Sequence, residues 1–230
     1  MKIQLFTIPN LMTLGNLLLG CLGIQWVLDG QVLWASAAIG MALVLDFGDG
    51  FVARLLKQSS PLGQQLDSLA DAVTFGVLPS FLMKYYLEQA GLTSPFSYVS
   101  FSIALFSVLR LAKFNIDTRQ GDQFIGLPTP ANAVVIASLP WMVQNSSTFV
   151  SFFYGLPFLI SYVVIISYLL IAEIPLMAFK FKHFNWKGNE IRFSFLVLSA
   201  VFVLGAQWLA VPGIVLGYVV VSLVESWKKS

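Results

Sequence analysis

Long apolar runs separated by short polar breaks dominate the chain, and the runs have the length of membrane-crossing helices. Eight such segments cover approximately residues 8–28, 32–56, 62–87, 96–117, 129–145, 151–178, 192–209 and 211–227. Each is near the ~20 residues that a helix needs to cross the hydrocarbon core. Strict two-residue alternation is almost absent, which favours helices over a barrel. Gly30, Ser59-Ser60-Pro61, Ser94-Pro95, Pro128 with Pro130, Asn145-Ser146-Ser147 and Pro212-Gly213 supply the breaks, and such residues end regular structure. The pattern predicts an all-α polytopic transmembrane helical bundle with about eight spanning helices. No repeat or low-complexity tract divides it, so one membrane-embedded domain over 1–230 is expected.

Composition supports a lipid solvent. Only 10% of the 230 residues are charged and 57% are hydrophobic, against roughly 25% charged in a soluble domain. The placement of the basic residues orients the bundle. With eight spans, Lys2, Arg54, Lys57, Arg110, Lys113, Arg119, Lys180, Lys182, Lys187, Arg192, Lys228 and Lys229 share one side, and Lys84 alone takes the other. The positive-inside rule then puts both termini on the cytoplasmic side. Lys2 ahead of an apolar run has the look of a signal peptide, yet no small-residue cleavage motif follows, so a retained first helix is expected. Cys21 is the only cysteine and His183 the only histidine, which excludes intrachain disulfides and thiolate metal clusters. His183 lies in a basic loop, where a solvated role is expected.

Against this background the stretch LDFGDGFVARLLKQSSPLGQQLDSLAD, residues 45–71, stands out. It places Asp46 and Asp49 three apart and Asp67 and Asp71 four apart, so each pair shares one helix face. Gly50 and Ala53 continue the first face without bulk, and Gly63 keeps the second helix equally open. The QSSPLG turn makes the two helices antiparallel neighbours. Four carboxylates at membrane depth repel one another, and each costs about 2.5–3.5 kcal/mol on the insertion scale. One or two divalent cations relieve that repulsion, and an all-oxygen site suits Mg²⁺ or Mn²⁺ over Zn²⁺. Solvated acids paired with Arg54 or Lys57 account for one or two of the four, not for all. A cation transporter is the rival from another functional class.

The pattern Asp46-x2-Asp49-Gly50-x2-Ala53-Arg54-x8-Gly63-x3-Asp67-x3-Asp71 resembles, without a departure, the signature of the CDP-alcohol phosphotransferases. IPNLMTLGNLLLG, RLAKFNIDTRQGDQFIGLPTPANA and DSLAD are similar to the membrane-integral subgroup that accepts serine. The resemblance covers roughly residues 8–140. It implies a six-helix core, a homodimer and an active site open to the cytoplasmic leaflet. It further implies transfer of the phosphatidyl group from CDP-diacylglycerol to L-serine, with release of CMP. Carried over, Asp46, Asp49, Asp67 and Asp71 would hold two metal ions, and Asp71 would also be the general base. Asp49, Gly50, Ala53, Arg54 and Gly63 would line the CDP site. Other acceptors within the family, glycerol-3-phosphate or inositol-phosphate, would call for more basic residues around the pocket.

Other residues leave their roles open. The carboxylate of free serine wants a cation, and Arg110, Lys113 and Asn115 near the end of the fourth segment are the candidates. Ordinary positive-inside charge explains the two bases equally well. Asn10 and Thr13 either face the nucleotide or serve capping and packing. Gly126-Leu127-Pro128 reads as structural punctuation ahead of the fifth segment. Glu173 is expected to be paired or reaching for the interface. The six tryptophans sit mostly near segment ends, as interfacial anchors do.

Overall fold

A computed structural model describes residues 4–117, 123–144, 153–177 and 190–229. Lys2, Arg119, Asn145-Ser146-Ser147, Lys180, Lys182, His183, Trp186 and Lys187 lie outside the described residues, as do the side chains of Arg192, Lys228 and Lys229. The described chain is an all-α bundle, as the hydrophobic pattern predicts. Its helices are α1 (Ile8–Leu28), α2 (Val32–Leu55), α3 (Pro61–Asp71), α4 (Leu78–Gln89), α5 (Phe101–Ile116), α6 (Thr129–Gln144), α7 (Leu156–Ile171), α8 (Glu190–Ala206) and α9 (Ala210–Lys229). A π-helical stretch, Ala72–Val77, joins α3 to α4 into one continuous rod.

Among the described residues, five helical runs are long and apolar enough to cross a membrane: 8–28, 32–55, 61–89, 96–116 and 193–225. The last folds back on itself at the 3₁₀ turn Gln207–Leu209. The Phe195 and Tyr218 rings lie 6.3 Å apart, and a Cβ on Gly213 would stand 2.8 Å from the Phe202 ring. A straight helix would hold Phe195 and Tyr218 about 34 Å apart, so α8 and α9 form a hairpin, matching the two segments expected there. With 16 residues each, α6 and α7 are shorter than the ~20 of a full span.

The sixth expected segment needs correcting. The apolar pattern predicts one segment over 151–178, but α7 ends at Ile171 and residues Pro175–Met177 form a strand. This strand, β2, pairs antiparallel with β1 (Gln123–Ile125), with Phe124 opposite Leu176. Pro175 lacks the N–H that a helix would require. The carbonyls at the end of α7 find partners instead on the chain leading into α6, where the Leu127 N–H donates to the Leu169 carbonyl at 3.0 Å. Gly126 has φ of +80°, and a Cβ there would stand 2.8 Å from the Leu170 carbonyl oxygen. Gly126-Leu127 therefore closes a helix end, the punctuation role expected of it.

One face of α1 organises the bundle. Its buried residues Asn10, Thr13, Asn16, Gly20, Gly23 and Val27 recur every three or four positions, which puts them on a single stripe. The first three are polar, the next two are bare, and the last is apolar. Cβ atoms on Gly20 and Gly23 would each lie 2.4 Å from Thr74 Oγ1 and Leu78 Cδ2, respectively. The helices thus approach backbone to backbone, as small residues allow in lipid. Beyond Gly23 the core is apolar, with Val27, Ile39, Phe75, Leu78, Leu82, Ile103, Ile136 and Leu159 packed together. Polar groups gather at the opposite end.

Candidate active site

The aspartates meet where α2 descends beside α3. Single carboxylate oxygens of Asp46, Asp49 and Asp67 lie within 4.8 Å of one another. Asp71 is outside that triad, but its carboxyl lies against Asp46. Asp49 and Asp71 are buried, whereas Asp46 and Asp67 are half-buried. The three- and four-residue spacings thus do what they predict, bringing both pairs to one interhelical seam.

Residues of α1 hold the acids in place. The Thr13 hydroxyl donates to Asp49 Oδ2 at 2.5 Å, and Asn16 Nδ2 donates to Asp71 Oδ1 at 3.3 Å. The Asn16 carbonyl accepts from the Thr74 hydroxyl at 3.0 Å, tying α1 to the π-helical stretch that starts immediately after Asp71. Wide turns of this kind are frequent at functional sites. Sequence reasoning missed Asn16 and the wide turn. The signal for Asn16 was present, since Asn10, Thr13 and Asn16 repeat at three-residue intervals within an apolar helix.

A cavity of about 500 Å³ opens beside the acids, lined by Pro9, Asn10, Thr13, Asp49, Gly50, Ala53, Arg54, the Gln58–Pro61 turn, Gly63, Gln64 and Asp67. All five residues expected around a CDP moiety therefore share one wall system. A Cβ on Gly50 would meet nothing nearer than an Arg54 nitrogen at 3.6 Å, so packing of the protein does not require glycine there. What glycine leaves free is cavity. A Cβ on Gly63 would lie 3.3 Å from both Asn10 Oδ1 and Ser60 Oγ. Ser60 caps α3 by accepting from the Gly63 N–H at 3.0 Å, and Thr7 caps α1 by accepting from the Asn10 N–H at 3.3 Å. Two helix N-termini, each with positive dipole ends, thus border the cavity.

The three candidates for the serine carboxylate lie on the other side of the acids and diverge from one another. Arg110 is buried, stacks over Phe114 at 5.1 Å, and interacts electrostatically with Asp71 and Tyr218. Lys113 points outward and pairs with Glu173 at 2.9 Å, so Glu173 is paired as expected, although it lies just past α7. Asn115 Nδ2 donates to Ser68 Oγ at 2.8 Å, tying the end of α5 to α3.

Three carboxylate oxygens converging without nitrogen or sulfur form a donor set for a hard divalent cation. Their mutual approach within 4.8 Å fits one ion shared among them. The open cavity next to them leaves room for phosphate oxygens to complete its coordination.

Residues 6–178 match the family model described as CDP-alcohol phosphatidyltransferase. A CDP-diacylglycerol–serine O-phosphatidyltransferase from Helicobacter pylori is 33% identical over 213 residues, covering 90% of this chain and 86% of the relative. The Bacillus subtilis protein of the same name is 35% identical over 187 residues, covering 80% of this chain and 94% of the relative. An archaetidylserine synthase from Methanothermobacter thermautotrophicus is 35% identical over 133 residues, covering 57% of this chain and 56% of the relative.

Proposed function

The chain belongs to the CDP-alcohol phosphatidyltransferase family, and from that premise we propose that it transfers the phosphatidyl group of CDP-diacylglycerol to L-serine, releasing CMP. The observation that carries the reading is the convergence of Asp46, Asp49 and Asp67 at the edge of a cavity walled by Gly50, Ala53, Arg54 and Gly63. The names of its relatives in bacteria and an archaeon, all serine-accepting, support the choice of acceptor.

Each residue then has a task. Asp46, Asp49, Asp67 and Asp71 would hold Mg²⁺ or Mn²⁺, two ions in our reading. A metal ion held there would neutralise the clustered acids and the pyrophosphate and would supply polarisation of the phosphoryl group. Thr13 and Asn16 fix the rotamers of Asp49 and Asp71. Gly50, Ala53 and Gly63 keep the wall low enough for the CDP moiety. Arg54, at the rim, meets its phosphates in the geometry a guanidinium favours. The N-termini of α1 and α3 add partial positive charge on the same side.

Asp71 accepts the proton of the serine hydroxyl as its oxygen bonds to the lipid-side phosphorus. The bond from that phosphorus to the CMP oxygen breaks, and CMP leaves through the cavity. A carboxylate suits this task when it sits within hydrogen-bond reach of the hydroxyl. Arg110 receives the serine carboxylate, while Lys113 and Asn115 border the mouth. The whole chain acts as one membrane-embedded domain, as a homodimer, with the active site and both termini facing the cytoplasm.

Purified protein supplied with CDP-diacylglycerol, Mg²⁺ or Mn²⁺ and a panel of alcohols should release CMP with serine and stop on chelation. Serine yielding no more CMP than buffer, while another alcohol does, would overturn the choice of acceptor.

A further inference from the structure

Immediately beyond Asp71 the helix widens. In the π-helical stretch Ala72–Val77 the Leu78 N–H reaches back five residues, to the Val73 carbonyl. Such a turn holds one residue more than an α-turn does. One residue turns an α-helix by about 100°, so the extra residue rotates Asp67 and Asp71 by about that angle relative to α4. Val73, Thr74, Gly76 and Val77 are all weak helix formers, so the local sequence permits the change. It does not demand it. The demand comes from packing.

Three contacts along α1 bracket the stretch. Past its end, the Leu78 side chain fills the gap at Gly23. Within it, Thr74 is fully buried against Gly20, where a Cβ would stand 3.1 Å from Thr74 Cα. The Thr74 hydroxyl donates to the Asn16 carbonyl at 3.0 Å. Just before the stretch, Asn16 Nδ2 donates to Asp71 Oδ1 at 3.3 Å. Thr74, Asn16 and Asp71 thus close a ring from two hydrogen bonds and the backbone between 71 and 74. On its other side the stretch meets α5, where the Cβ position of Gly76 is 3.1 Å from Ser107 Cβ. Ser107 lies one turn before Arg110. The wide turn is therefore clamped between the helices that carry Asn16 and Arg110, and both of those residues interact with Asp71.

The Thr74 hydroxyl is surplus to packing. Leu78, the next residue in the same seam, is apolar, and valine would fill the Thr74 seat as well. Buried helical hydroxyls commonly turn to a carbonyl of their own helix. Ser80, Ser100 and Ser138 do so, each to the carbonyl three residues back. Thr74 bonds across to α1 instead, at the backbone of the residue whose side chain holds Asp71. What the hydroxyl adds is register.

Resting on the function proposed above, in which Asp71 accepts the proton, we propose that Thr74 is a positioning residue. Its hydroxyl, through the Asn16 carbonyl, locks the π-turn against α1 and so sets where the Asp71 carboxylate stands. Thr74 does not line the 500 Å³ cavity, so it acts through Asp71. Without the bond the wide turn is free to shift along the helix, and Asp71 moves off the incoming hydroxyl.

The test uses the full chain in detergent with CDP-diacylglycerol, Mn²⁺ and serine. Thr74→Val keeps the volume and removes the hydroxyl; Thr74→Ala removes it and leaves space. In each, kcat should fall about tenfold to about 10²-fold, the cost of a misplacement near 1 Å, with both KM values within about twofold. Thr74→Ser keeps the hydroxyl and should recover most of kcat. A double-mutant cycle then separates positioning from packing. On an Asp71→Asn background, Thr74→Val should slow the residual turnover by less than about twofold, because the group it positions is already gone. Equal losses on both backgrounds would mean a structural seat only and would overturn the role. So would an unchanged kcat without the hydroxyl, or no recovery in Thr74→Ser. Wild-type protein that uses another alcohol and not serine would overturn the acceptor, and the cycle would be run with that alcohol. Wild-type protein that releases no CMP with any alcohol would overturn the functional reading. The cycle is then read in melting temperature: shifts that fail to add support the coupling of Thr74 to Asp71, and additive shifts sink it.

Discussion

The two sides of Asp71 differ in build, and in the function proposed above they would receive ligands by opposite means. Toward α1 and α3 the acids open on a cavity of about 500 Å³, with exposed Arg54 at its rim and caps satisfying its helix ends. Toward α5 and α6 the polar side chains are buried, and Ser107 Oγ, Arg110 Nε, Thr129 Oγ1 and Asn132 Nδ2 have no hydrogen-bond partner among the described residues. A nucleotide is large and well hydrated, so a preformed open cleft admits it with little desolvation of the protein. A small zwitterion makes only a handful of contacts, and each must be strong, which calls for enclosure and unmet donors. On that reading, size and hydration of the ligand would set the burial of its site, and one carboxylate would serve both where the two meet.

The largest expected effect comes from the residue common to both sides. Asp71→Asn removes a proton acceptor and keeps the shape, so kcat should fall on the order of 10³-fold. Binding of CDP-diacylglycerol, followed by calorimetry, should stay within about twofold. Turnover near wild type would end the general-base role, and loss of nucleotide binding would move Asp71 from the seam into the cavity.

A smaller effect separates the two sides. Gly50 has open space around its Cβ position, its nearest neighbour there being an Arg54 nitrogen at 3.6 Å. Gly50→Leu should therefore fold, and it should gain up to about 1 kcal/mol from better helix propensity. Its side chain would occupy the cavity instead. The KM for CDP-diacylglycerol should rise about tenfold, the KM for serine should not move, and the melting temperature should hold or rise. A rise in both KM values would mean that the sides are not separate.

The same contrast explains what could be read from the chain alone. The aspartates were legible because charge is conspicuous in an apolar sequence, and their three- and four-residue spacings translate directly into helix faces. Gly50, Ala53 and Gly63 were legible as gaps on those faces. The hidden parts depend on partners distant in sequence. Nothing in Ala72–Val77 announces a π-turn; it arises where Thr74 reaches the Asn16 carbonyl and Gly20 lets the helices close. Strands of three residues such as Pro175–Met177 are too short to show a period. Thr129 and Asn132 sit in a proline-marked stretch that reads as punctuation, and only the packing of α6 buries both of them.

The smallest expected effect concerns a residue that the sequence placed with Arg110. Lys113 follows Arg110 by three positions, yet its ammonium pairs with Glu173 at 2.9 Å, with side-chain exposures of 33% and 64%. An exposed pair of this kind contributes about 0–1 kcal/mol and is weakened by salt. Lys113→Ala should therefore change the serine KM by less than about twofold, with a slight fall in melting temperature. Arg110→Gln should raise the same KM about tenfold or more, because it leaves a buried carboxylate without its cation. Equal effects from the two substitutions would mean that serine is held at the mouth rather than within. The enclosed side would then lose its ligand, and the division between an open nucleotide face and a closed acceptor face would collapse.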